Sequence, residues 1–163
     1  CAVTRKSTTG FVARLGGHTI KDSSNFQSTI ALSSGESDYY GIVKGGSTGL
    51  GLRSLLQDLL VPISVELLSD SWAARGHVKR GGLGKMRHVQ TRFLWVQERV
   101  ASKDLLVSAV AGTKNPADIL TKSVSGVVLR RYMEQLGFKV TEPSSLQKEL
   151  APTGDDSCGV AQW

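Results

Sequence analysis

Three carboxylates hold positions from which side chains can do chemistry. Glu36 lies three residues after Ser33 in Ala31-Leu-Ser-Ser-Gly-Glu36, Asp70 ends the apolar run Ile63 to Ser69, and Asp118 follows Asn115-Pro116-Ala117. In open sheets with helical crossovers, functional groups gather beyond the carboxyl ends of the strands, so Asp70 and Asp118 could face one crevice. A cluster of hard oxygen ligands suits Mg²⁺ or Mn²⁺. Each acid also has a purely structural reading: Glu36 as the acid of a capping box, Asp70 as a helix N-cap, and Asp118 as a first-turn carboxylate facing the helix dipole. Spacing alone leaves both sets of readings open. A second feature is the glycine-rich segment Lys79-Arg-Gly-Gly-Leu-Gly-Lys-Met-Arg-His88. Its Lys79, Arg80, Lys85, Arg87 and His88 are candidate phosphate contacts, with glycines that let backbone N–H groups approach a nucleic acid.

The elements that would position these residues follow from periodicity and punctuation. Gly10 to Leu15 alternates as a strand, Gly16-Gly17 is a turn, and His18 to Lys21 begins the return strand. The Ser33/Glu36 pair opens a helical stretch to about Leu60, with a break expected near Gly45 to Gly51, where glycines lower helix propensity. Ile63 to Ser69 is a strand, Ser71 to Val78 a helix, His88 to Val100 a further helix and Leu105 to Val110 a strand. Asn115-Pro116 enters another helix, and Val127 to Leu136 forms the last one, closed by Gly137. Trp72 and Trp95 are expected in the core. His18 and His77 are expected at the surface or hydrogen-bonded, and Arg130 and Arg131 on a solvated face.

The chain has 163 residues, 40% of them hydrophobic, enough for one domain with a sizeable core. Residues 1–140 are expected to form that domain, and the proline- and glycine-containing stretch 141–163 a disordered tail. The formal charge is +6, but the tail sets Lys148 against Glu142, Glu149, Asp155 and Asp156, leaving 19 basic and 10 acidic residues in the body, a net +9. Such a balance favours polyanionic partners. No apolar run approaches the roughly 18 residues of a membrane span, so no membrane association is expected. The two cysteines, Cys1 and Cys158, lack metal or disulfide spacing and suit a reducing intracellular setting. The chain opens on Cys1, with no apolar segment of a signal peptide after it, and its start is expected to be a fragment boundary.

Five blocks in order carry a family resemblance: Thr4-Arg-Lys-Ser-Thr-Thr-Gly10 with Phe11-Val12, Ile30-Ala-Leu-Ser-Ser-Gly-Glu36, Leu68-Ser-Asp70, Arg87-His88-Val89, and Asn115-Pro-Ala-Asp-Ile-Leu-Thr-Lys122. Together they resemble the ribonuclease H domain in the Pol polyprotein of copia-type retrotransposons. The resemblance implies an α/β fold, a mixed five-stranded sheet flanked by helices, that cleaves the RNA strand of RNA–DNA hybrids with two Mg²⁺ or Mn²⁺ ions. The setting it implies is a cytoplasmic particle or the nucleus, with the reverse transcriptase segment of the same polyprotein as a further partner. The family's acidic positions are carried onto Glu36, Asp70 and Asp118, whose carboxylates should then converge within roughly 10 Å. Two departures predict impaired catalysis. The family's first strand, with its metal-bridging aspartate, would lie upstream of Thr4 and is missing here, and the family's third-strand tryptophan gives way to Lys21-Asp-Ser-Ser24. Nor does Ala111 to Lys114 contain the histidine that cellular ribonucleases H often have there. Two outcomes are expected: a hydrolase impaired by truncation, or an inactive nucleic-acid-binding remnant.

Overall fold

The computed structural model describes residues 5–84 and 87–138. Lys85 and the 141–163 segment lie outside the described residues. Strand β1 (Thr8–Leu15) turns at Gly16, whose φ of 58° a residue with a side chain adopts only under strain, and returns as β2 (His18–Phe26). The antiparallel pairing runs from Leu15↔His18 to Thr8↔Phe26, with an irregularity at Ala13/Arg14. The expected hairpin is present, and its return strand is longer than the alternation of residues 18–21 implied.

Helix α1 (Ser34–Asp58) starts at the expected box: the Ser33 hydroxyl accepts from the Glu36 N–H at 3.2 Å, and a Glu36 carboxylate oxygen accepts from the Leu32 N–H at 2.9 Å. The expected break at Gly45 to Gly51 does not occur. These glycines serve packing. A Cβ on Gly45 would lie 3.1 Å from Leu67, on Gly46 3.0 Å from Leu105, and on Gly49 2.7 Å from Val65. The close approach of the helix to the sheet outweighs the propensity cost of roughly 1 kcal/mol per glycine.

Two short strands, β3 (Glu66–Ser69) and β4 (Leu106–Ala109), pair in parallel with Glu66 opposite Leu106 and Ser69 opposite Ala109. A parallel pair needs a long crossover, supplied by α2 (Trp72–Val78), the glycine-rich segment, a 3-10 turn at Thr91–Phe93 and α3 (Trp95–Ala101). The helix expected from His88 is thus shorter and begins later. Residues His88 to Gln90 stay non-helical, and the His88 side chain is tied to α1. Asn115 caps a 3-10 helix, Pro116–Leu120, by accepting from the Ala117 N–H at 3.3 Å, and α4 (Gly126–Gln135) ends the described chain near Gly137.

Tyr39, Ile42 and Val43 of α1 meet Ala74 and Val78 of α2, Val89, Val96 of α3, and Leu105 and Val107 beside and within β4. Trp95 packs against this core, whereas Trp72, at the first position of α2, is 80% exposed. His77 is buried against Tyr39, ring centroids 4.6 Å apart, and its Nε2 has no hydrogen-bond partner. It is therefore a core residue and not the surface or hydrogen-bonded histidine expected. His18 and Arg131 are exposed. Both two-stranded sheets lie against α1. Among the described residues β1 pairs only with β2 and β3 only with β4. Among the described residues no helix is long and apolar enough to cross a membrane.

Candidate functional site

Glu36 is almost fully buried, and its carboxylate is occupied. Oε1 accepts from the Tyr40 hydroxyl at 2.7 Å, while Oε2 accepts from the Leu32 N–H and lies 2.8 Å from His88 Nε2. Burial favours its neutral form, but the hydrogen bonds from His88, Tyr40 and Leu32 outweigh that and hold the carboxyl below the usual glutamate range. Both lone-pair faces serve to fasten α1 to the linker before it and to the segment at His88. Of the two readings of Glu36, the geometry favours the structural one.

The acid that α1 directs toward Asp70 and Asp118 is Asp38, two residues on. The carboxyl of Asp38 is raised above the ordinary aspartate range. Burial is the main cause; the negative charges of Asp70 and Asp118 add to it, and the nearby Ser71 and Lys122 oppose it. Asp70 follows β3 but is not a helix cap. Ser71 caps α2 instead, its hydroxyl accepting from the Ala74 N–H at 3.3 Å. Asn115 Nδ2 approaches Asp70 Oδ1 at 3.5 Å. Asp118 sits in the first turn of its 3-10 helix and bonds Lys122 Nζ at 3.0 Å. That bond is the main reason the lysine's pKa is raised, with the charges of Asp118, Asp70 and Asp38 adding to it. Asp118 is kept against the hairpin because β1 lacks a side chain at Gly10, where a Cβ would fall 2.7 Å from Thr121 and 2.8 Å from Leu120. The Ser24 hydroxyl adds a bond to Leu120 O at 2.6 Å.

Asp38, Asp70, Asp118 and Lys122 therefore lie near enough to shift one another's ionisation. Sequence reasoning missed Asp38 because Glu36 has the stronger local signature. Octahedral Mg²⁺ asks for several oxygens at about 2.0–2.1 Å, and among the described residues no group of three His, Cys, Asp or Glu side chains is arranged to hold a metal ion. With the Lys122 ammonium already bonded to Asp118, these acids as arranged do not fit a pair of divalent ions.

In the basic segment, Lys79, Arg80, Arg87 and His88 are all exposed. Its backbone is less available than its glycines suggest. The Gly82 N–H donates to Gln97 Oε1 at 2.9 Å, and Gln97 Nε2 donates back to Gly82 O and to His77 O, both at 3.0 Å. The side chains, and not that amide, remain for contact with phosphate.

No protein-family model matches the chain, and no solved structure does. Over 122 residues, 74% of the chain, it is 32% identical to the retrovirus-related Pol polyprotein from transposon TNT 1-94 of Nicotiana tabacum, spanning 9% of that protein. It is 26% and 25% identical, over 144 residues each, to the retrovirus-related Pol polyproteins from transposons RE2 and RE1 of Arabidopsis thaliana, spanning 85% of the chain and 10% of each relative. The chain is thus similar to retrovirus-related Pol polyproteins of plant transposons and spans about a tenth of their length.

Proposed function

We propose that the chain is the ribonuclease H-like portion of a copia-type Pol polyprotein, and that in its present arrangement it grips RNA–DNA hybrids without cleaving them. The observation that carries the reading is the electrostatic coupling of Asp38, Asp70 and Asp118, from the start of α1, the end of β3 and the helix after β4, beside two sheets that are two-stranded among the described residues. A strand seated between β1 and β3 would join the halves into one five-stranded mixed sheet, and an aspartate on it would add a fourth carboxylate to the crevice. In a polyprotein such a strand would be supplied by another segment, with the reverse transcriptase segment as a neighbouring partner. A complete site would take Mg²⁺ or Mn²⁺ for hydrolysis of the RNA strand. The hybrid would be recognised by its shape and 2′-hydroxyls, with Lys79, Arg80, Arg87 and His88 against phosphates.

The test is a labelled hybrid incubated with Mg²⁺. Binding without cleavage is expected, and Arg80→Glu/Arg87→Glu should weaken binding for every hybrid sequence. That double variant should also flatten the slope of log affinity against log salt by about 0.9 for each phosphate no longer neutralised. Adding an upstream strand that bears aspartate should restore cleavage, and the same strand with asparagine should restore only cooperative unfolding. Cleavage by the chain alone, abolished by Asp70→Asn, would refute the binding-only state.

A further inference from the structure

On a different face of α1 from Asp38, a cavity of about 580 Å³ opens between that helix, the β1–β2 hairpin, the Thr91–Phe93 turn and α3. Its size falls within the roughly 300–1,000 Å³ of small-ligand sites. Five aromatic side chains line it: Phe11, Phe26, Tyr40, Phe93 and Trp95. Phe26, at the end of β2, is 64% exposed although it is a large apolar residue. Two cations, Lys44 and Arg92, are also in the wall, both exposed, with the Arg92 guanidinium 4.8 Å from the Phe93 ring centroid.

The wall also contains a buried polar group. Gln27 is 8% exposed, and its Nε2 donates to Thr9 Oγ1 and Ser37 O, both at 2.8 Å. Its Oε1 is buried and has no hydrogen-bond partner. The two Nε2 bonds tie the hairpin to α1 at the edge of the cavity. Stacking faces and two cations in one cavity match one chemistry: a flat ring attached to an anion.

We propose that this cavity binds one unpaired nucleotide of a single strand, its base stacked on Phe26 and the neighbouring rings and its phosphate held by Lys44 and Arg92. Base–aromatic stacking of this kind tolerates any sequence. The site is separate from the acidic crevice and rests on the proposed function only in that both take nucleic acid. An unpaired strand leaving the hybrid would be held here while the duplex lies across the basic segment.

Trp95 reports on the site. In the Trp72→Phe/Trp163→Phe chain, fluorescence is titrated with a thymidine dodecanucleotide and separately with thymidine monophosphate. Saturable quenching by the dodecanucleotide is expected, at least tenfold tighter than by the monophosphate. Phe26→Ala and Lys44→Glu, both at exposed positions, should each weaken it about tenfold while leaving the urea midpoint unchanged. Arg80→Glu/Arg87→Glu, which tests duplex binding, should leave the quenching intact, so the two readings can fail separately. No quenching by either probe, or quenching insensitive to Phe26→Ala and Lys44→Glu, overturns the proposal. Equal affinity for the monophosphate overturns its polynucleotide part.

Discussion

Truncating Glu36 to alanine should damage stability far more than it damages nucleic-acid binding. The Tyr40 hydroxyl, on a residue 8% exposed, would be left without its acceptor, at a cost of roughly 1–3 kcal/mol for a buried unsatisfied group. His88 is 45% exposed, so water replaces most of what its bond to Glu36 supplies, and removing that bond costs about 0.5–1 kcal/mol. The Leu32 N–H, on an exposed residue, adds a few tenths. The Ser33 cap survives, because it bonds the backbone of residue 36. A total of about 3 kcal/mol follows, a large part of the roughly 5–15 kcal/mol that holds a domain together. It corresponds to a fall in Tm on the order of 10 °C. Because the folded-state pKa of Glu36 is depressed, its contribution is fully present above the ordinary carboxylate range and is lost as pH falls through the depressed value. Glu36→Gln should therefore converge with the parent protein in acid. Urea denaturation followed by far-UV circular dichroism, at pH 7 and again near pH 3, measures both effects. A stability change below about 0.5 kcal/mol together with collapsed hybrid binding would refute the reasoning and return Glu36 to the functional site.

Two further outcomes follow from packing and burial. Gly10→Ala should destabilise by about 1–3 kcal/mol through overpacking against Thr121 and Leu120, and amide exchange in Pro116–Leu120 should rise with it; unchanged exchange there would mean that the helix bearing Asp118 does not depend on the hairpin. Burial, and to a lesser degree the charge of Arg80, lowers the His77 pKa, so its contribution to stability is full above the ordinary value of 6.5 and is lost as pH falls below it. His77→Phe, which keeps an aromatic edge on Tyr39, should flatten the change in urea midpoint between pH 7.5 and pH 5.5, and an equally steep profile would assign that dependence to other groups.

What the sequence determined by itself is what depends on near neighbours along the chain. The Gly16-Gly17 turn, the Ser33/Glu36 box, the Asn115-Pro116 entry and the end of the last helix near Gly137 are each encoded within a few residues, where backbone stereochemistry and one side-chain bond suffice. The tertiary structure decided the rest, because the deciding contacts join residues far apart. Glycines that should interrupt α1 are kept helical by Val65, Leu67 and Leu105 pressing on them. Trp72 has the spacing of a core residue but sits at the exposed first turn of α2, while His77 on the same helix faces Tyr39. Glu36 and His88, 52 residues apart, bind each other, and that bond separates the glutamate from the role its motif suggested. Asp38 belongs to no motif that would mark it in the sequence. Only the packing of α1 beside α2 and the helix at Pro116 brings its charge to Asp70, Asp118 and Lys122, since electrostatic coupling depends on distance in space and not on separation along the chain.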